Sequence, residues 1–207
     1  MEAKGRKEHW ENIYETKELN SVSWYQPIPQ TSLNFIEKSG VSKDAKIIDI
    51  GGGDSFLVDH LLELGYLNIT ILDISNSAIE RAKKRLGEKS KNVNWIVSDI
   101  TLLETDEQFD LWHDRAAFHF LTDKIDIQKY VQHVKNYTKE NAHLFIGTFS
   151  ETGPLKCSGI EIRQYNSQSL PAVFVNDWNL EKTISVVHPT PFNTEQDFIF
   201  SSFLKKY

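Results

Sequence analysis

With 207 residues, 40% hydrophobic and 12% aromatic, the chain is long enough for one compact domain with a full core and too apolar to be disordered. A net charge of -6 offers no broad basic surface to phosphate backbones and disfavours nucleic acid as a substrate. The polar start Met1–His9, the lack of any spanning-length apolar run and the single cysteine, Cys157, lead us to expect a soluble cytoplasmic protein without a disulfide or a membrane segment.

Residues 1–40 form an arm rich in large rings: Trp10, Tyr14, then Trp24-Tyr25-Gln26-Pro27. Such rings can close over a ligand as a lid, and an amphipathic helix that pins Trp10 and Ile13 on a sheet is the structural alternative. The first strand, Lys46–Ile50, runs into Gly51-Gly52-Gly53, and Leu57 to Leu62 has helical spacing up to Gly65. Asn68–Asp73 is a second strand, Ser77–Leu86 a helix stopped at Gly87, and Val93–Val97 a third strand followed by Ser98-Asp99-Ile100. A fourth strand at Phe109–His113, a helix at Ile125–Tyr137 and a fifth strand at His143–Phe149 continue the alternation. This pattern predicts a parallel sheet with helices on both faces and ligands at the carboxyl ends of its strands. The tail breaks it, because Leu180–His188 and Asp197–Leu204, joined by Pro189–Asn193, read as an antiparallel hairpin.

Three glycines between a strand and a helix let a ligand approach the backbone and the helix N-H groups closely. Asp73 follows at about the twenty-residue spacing at which a strand-end acid meets a ribose, a spacing that a dinucleotide enzyme shares. Phe56, however, stands where the dehydrogenase fingerprint requires its third glycine, so a nucleotide-linked oxidoreductase is the weaker reading. Asp49, Asp73 and Asp99 are three acids at or just past three successive strand ends. A carboxylate suits the donor pair of a ribose diol, and another suits an adenine amino group.

In these features the chain resembles the class I S-adenosylmethionine-dependent methyltransferases, with a Rossmann-like, mostly parallel seven-stranded sheet and a C-terminal hairpin. The resemblance implies that Asp49 and the loop Gly51, Gly52 and Gly53 border the methionine part of the cofactor. Asp73 with Ile74 would take the ribose, and Asp99 with Ile100 the adenine. Trp112-His113-Asp114-Arg115-Ala116 is similar to the corresponding segment of the thiopurine and tellurite branch. That likeness places His113 beside the cofactor and Arg115 on its carboxylate or on an anionic acceptor, where a planar fork binds bidentately. Asp114 and His119 are then candidate bases, with a helix N-cap and a packed core histidine as their structural alternatives. By the same likeness Trp10, Tyr14 and Trp24 would touch cofactor or acceptor.

The domain divides into the arm at 1–40, a cofactor-binding core at 45–150 and, at 151–207, an acceptor loop with the hairpin. In the Ser150–Gly159 loop, Cys157 is either a contact for a soft acceptor or a small packed residue. The seven histidines have no metal-ligand spacing, and no metal is expected. The chain also lacks the Asn/Asp-Pro-Pro-aromatic motif after the fourth strand that amino-methylating nucleic-acid and glutamine enzymes carry. The expected activity is methyl transfer to a small-molecule acceptor through sulfur, nitrogen or a metalloid, with a protein lysine as the alternative acceptor. A cofactor-binding protein without activity is the alternative of a different class.

Overall fold

The apolar run Lys46–Ile50 is buried on both faces, so consecutive side chains point into separate cores: Ile47 joins one hydrophobic cluster and Ile48 the other. Those clusters lie on opposite sides of a seven-stranded sheet in a computed structural model that describes residues 3–206; Met1, Glu2 and Tyr207, including the first two residues of the polar start, lie outside the described residues. The strands are β1 (Lys46–Ile50), β2 (Asn68–Asp73), β3 (Val93–Val97), β4 (Phe109–Arg115), β5 (Thr138–Phe149), β8 (Trp178–Pro189) and β9 (Glu195–Lys205), in the spatial order β3-β2-β1-β4-β5-β9-β8. A small separate ribbon pairs β6 (Lys156–Cys157) with β7 (Ile160–Glu161).

The first five sheet strands are parallel, and β9 joins β5 antiparallel with β8 at the edge. Helices α2 (Gln30–Ser39) and α3 (Leu57–Glu63) cover one face together with Leu86 of α4 (Asn76–Leu86). Helices α5 (Lys124–Asn136) and α6 (Ser169–Phe174) cover the other. The N-terminal helix α1 (Ala3–Thr16) lies against α4 and carries the first aromatic residues.

The expected α/β class, the alternation and the terminal hairpin are present, and β3 has the bounds predicted for it. Other elements differ in extent: β4 runs on to Arg115, β5 begins at Thr138, which pairs with Phe109 ahead of an irregular step in the ladder, both hairpin strands are longer at each end, and α4 and α5 each start one residue earlier. Helices α2 and α6 were not anticipated, for neither has a side-chain hydrogen bond at its N-cap, and α2 starts from Pro29. Among the described residues, no helix is long and apolar enough to cross a membrane.

Candidate active site

The turn after β1 is shaped by what surrounds its glycines. Gly51 has φ +67° and donates to the Leu72 carbonyl at 2.8 Å, while a Cβ there would meet that of Ala117 at 2.8 Å. At Gly53 a Cβ would lie 2.6 Å from an Asp73 oxygen, the same oxygen that accepts the Gly53 N-H at 3.0 Å. The other Asp73 oxygen accepts from Ser75 at 2.8 Å. Burial pushes the Asp73 pKa up to about 6, with the neighbouring charges of Asp49 and Glu11 adding to the rise.

Asp73 and Ile74 line a cavity over the strand ends together with Asp99 and Ile100. Asp99 is not free for a ligand alone: one oxygen accepts from Nε of Arg6 at 2.8 Å, and the other from the N-H and hydroxyl of Thr101 at 2.8 Å each. Burial opposes its ionisation, but the Arg6 and Thr101 hydrogen bonds outweigh burial and hold its pKa below the ordinary carboxylate value. Arg6 also reaches Asp126 at 2.7 Å, which ties α1 to the start of α5.

A second cavity shares Tyr14, Trp24, Gly51 and Arg115 with the first and is lined further by Asp49, Gly52 and His113. Nδ1 of His113 donates to one Asp49 oxygen at 2.6 Å, and its Nε2 is hydrogen-bonded to the Ser32 hydroxyl at 2.8 Å. The second Asp49 oxygen is buried without a partner. Arg115 faces the same space: Nη1 donates to the Trp24 carbonyl at 3.2 Å, and Nη2 is buried without a partner. Burial pulls the guanidinium pKa down to about 10 against the pull of Asp49. One carboxylate oxygen and one guanidinium nitrogen thus border one cavity without partners, although buried polar atoms are ordinarily partnered.

Asp114 and His119 are placed differently. The Asp114 carboxylate is fully buried and lines neither cavity: one oxygen accepts from the N-H groups of Ala117 and Phe118 at 3.0 Å, the other from the Tyr130 hydroxyl at 2.7 Å. Burial raises its pKa to about 6. His119 is also fully buried, stacked on Phe149 at 4.6 Å, and burial with the charge of Arg115 lowers its pKa to about 3. The alternation of β4 carries the signal for Asp114, because Trp112 packs under α5 and residues 112 and 114 share a face, whereas Leu111, His113 and Arg115 share the other.

Of the aromatic arm, Trp10, Tyr14 and Trp24 all line the first cavity, with Trp10 5.7 Å from Trp24 and 4.9 Å from Phe120 between ring centres. Cys157, carried there by β6, and Phe149 complete the wall, and burial raises the thiol pKa to about 11. Sequence reasoning did not single out Arg6, Glu11 or Phe120. Glu11 accepts from the N-H and hydroxyl of Ser77 at 3.1 and 2.8 Å, fastening α1 to the start of α4. No local sequence signal marks partners 66 residues apart.

A family model described as a methyltransferase domain matches residues 41–190. The chain belongs to the methyltransferase-domain family. It is 29% identical over 150 residues to the human EEF1A lysine methyltransferase 2, covering 66% of this chain and 63% of that protein. It is also 29% identical over 118 residues to a malonyl-[acyl-carrier protein] O-methyltransferase of Ilyobacter polytropus, covering 56% of this chain and 43% of that one. The chain therefore spans less than two thirds of the length of these relatives. Among solved structures, the 1,6-didemethyltoxoflavin-N1-methyltransferase of Burkholderia thailandensis, with its substrate and S-adenosylhomocysteine bound, superimposes with a TM-score of 0.77 at 16% identity over 99% of this chain and 89% of that one. A structure solved in work on the conversion of a disulfide bond into a thioacetal group during echinomycin biosynthesis gives 0.79 at 20% identity over 97% and 93% of the two chains. At these identities the likeness carries the fold.

The cofactor that this family implies is S-adenosylmethionine, and the residues present fit it. An amino acid end needs one anion and one cation, for which Asp49 and Arg115 each keep one unpartnered atom, and a ribose diol needs an acceptor, which Asp73 provides in the wall of the first cavity.

Proposed function

We propose that this chain is an S-adenosylmethionine-dependent methyltransferase acting on a small-molecule acceptor. The observation that carries the reading is the pair of unpartnered groups, the Asp49 oxygen and Arg115 Nη2, bordering a cavity that joins the one lined by Asp73 and Asp99. When bound, S-adenosylmethionine supplies a methyl group on a sulfonium, open to in-line attack. Asp49 holds the ammonium and Arg115 the carboxylate of its amino acid end, Asp73 accepts from the ribose hydroxyls, and Asp99 and Ile100 frame the adenine. Trp10, Tyr14 and Trp24 cover this site, keep water out and offer ring faces to positive charge.

The acceptor faces Phe120, Leu121, Phe149 and Cys157. Among the residues lining this cavity, the only carboxylates are Asp73 and Asp99, both at the cofactor end, while Asp114 and His119 lie behind the wall. The wall thus aligns the acceptor by contact and takes no proton with a carboxylate or an imidazole. This favours a nucleophile that arrives with its lone pair free, such as an ionised thiol, a metalloid anion or an unprotonated nitrogen, in keeping with the likeness of residues 112–116 to the thiopurine and tellurite branch. Asp114 acts here as a brace that holds the turn at Ala117 and Phe118 behind the cofactor site. The single buried thiol of the chain, Cys157, suits a reducing cytoplasm. A protein lysine is the second reading, favoured by the human relative named for such an activity.

The test is to incubate the protein with methyl-labelled S-adenosylmethionine and a cell extract split into small-molecule and protein fractions, and to follow label and S-adenosylhomocysteine by mass spectrometry. Label in the small-molecule fraction is expected. Label confined to protein lysines selects the second reading, binding without S-adenosylhomocysteine formation points to a protein that only holds the cofactor, and binding of NADH instead overturns the cofactor assignment.

A further inference from the structure

Between α1 and α2 the chain is irregular, with a single 3-10 turn at Leu19–Ser21, yet this stretch brings Trp24 into the wall that the two cavities share. Its backbone has no sheet or helix ladder to hold it and depends on local and side-chain partners. Tyr25 closes a turn on the Val22 carbonyl at 3.2 Å, and Val22 is buried beneath it. The two intervening carbonyls are taken by side chains from remote parts of the fold. Arg115 of β4 donates to that of Trp24, and Nε2 of His188, 165 residues away at the end of β8, donates to that of Ser23 at 2.8 Å.

His188 is 2% exposed and edges against Phe198 at 5.9 Å between ring centres. A carbonyl only accepts, so Nε2 carries the proton and the bare nitrogen is Nδ1, which is buried without a partner. The hairpin does not depend on this contact: the β8–β9 ladder continues on both sides of the residue, at Val187 with Asp197 and at Pro189 with Glu195. What the contact fixes is the arm.

We propose that His188 is a positioning residue for methyl transfer: by clasping the Ser23 carbonyl it ties the aromatic arm to the C-terminal hairpin and keeps Trp24 and its partner Arg115 set against the cofactor. The proposal rests on the methyltransferase reading above, and part of its test does not. Without the clasp, the Ser23 carbonyl and the turn it belongs to are free to move, and the site must reorder the arm each time a ligand binds.

The experiment compares wild type with His188→Leu, which removes the donor, and His188→Gln, whose amide restores an N-H of similar reach. In the unligated full chain, amide hydrogen exchange of residues 19–28 should quicken in His188→Leu and return towards wild type in His188→Gln. Binding of S-adenosylhomocysteine, followed by calorimetry, should weaken about tenfold in His188→Leu and recover to within about threefold in His188→Gln, with the melting temperature of both within a few degrees of wild type. Unchanged exchange in His188→Leu, or a fall in melting temperature equal in both variants without recovery of the arm in His188→Gln, overturns the proposal. If wild type binds no S-adenosylhomocysteine, the methyltransferase reading has failed, and the exchange of residues 19–28 alone decides whether His188 holds the arm.

Discussion

The cofactor end of the cleft draws its acids from the ends of neighbouring parallel strands, Asp49 on β1, Asp73 on β2 and Asp99 just past β3, whereas the lid over it and the acceptor end are gathered from α1, the irregular arm, the turn after β4, the end of β5 and the β6–β7 ribbon. Parallel strands in register put their ends side by side, so the first kind of site follows from spacing along the chain. The second kind depends on contacts between residues far apart in sequence. Its polar side chains are consequently spent on holding the wall together: Asp114 on two backbone N-H groups and a phenol, Arg6 on two carboxylates, His188 on a carbonyl.

The largest effect expected from this division is on stability, at Asp114. Asp114→Ala leaves the Ala117 and Phe118 N-H groups and the Tyr130 hydroxyl without their acceptor inside the core, a loss of about 3 kcal/mol. Calorimetric scanning should show the melting temperature falling by about 10 °C. A melting temperature like that of wild type, with turnover abolished, would mean instead that the carboxylate works on the acceptor, and the contrast between the two ends would collapse.

Asp73→Ala attacks the other end. The fold should survive, while S-adenosylhomocysteine binding weakens by about 2 kcal/mol through loss of a charge-assisted contact to the ribose. The same residue gives the affinity a pH dependence. In the free protein its pKa is raised to about 6, and the ribose hydroxyls need the ionised form, so binding releases a proton near that pH. The sign is therefore that affinity is highest above pH 6 and falls on acidification, by about tenfold between pH 7 and pH 5. Asp73→Asn, titrated over the same range, should flatten that slope; an equal slope in both proteins assigns the proton to another group.

Arg115 belongs to both ends, since it borders both cavities. Arg115→Lys keeps a charge and loses the fork, so S-adenosylhomocysteine should bind several-fold more weakly while the melting temperature stays within a few degrees. Full affinity in this variant would release the guanidinium from the cofactor and give it to the acceptor.

How far the sequence reaches follows the same line. The strand-end acids, the glycine turn and the hairpin depend on periodicities of a few residues, and they could be read directly. Asp114 and His119 have the residue types of catalytic bases, but their roles turn on which face of β4, or of the turn after it, they occupy. The neighbouring Trp112 marks that face for Asp114, and the flanking Phe118 and Phe120 favour a packed His119, whose stacking partner Phe149 is 30 residues on and has no local signal. Arg6 and Glu11 sit on a helix whose polar face reads as solvated, and only the tertiary packing of α1 on α4 and its contact with Asp99 in the turn after β3 make them fastenings.

The smallest expected effect lies where the two ends meet, at Asp99. An amide at this position still accepts a hydrogen bond, from the adenine amino group or from the Thr101 N-H, so the ligand side loses little. The arm side loses more, because the buried charge of Arg6 gives up one of its carboxylates, though Asp126 at 2.7 Å keeps it paired. Asp99→Asn should therefore weaken S-adenosylhomocysteine by about threefold, less than Asp73→Ala does, and most of that loss should come from a looser α1. Combining it with Arg6→Met discriminates the two routes: if the arm carries the effect, the double variant binds no worse than Arg6→Met alone. Additive losses would place the Asp99 carboxylate on the adenine itself, and a loss larger than that of Asp73→Ala would exchange the roles of the two acids.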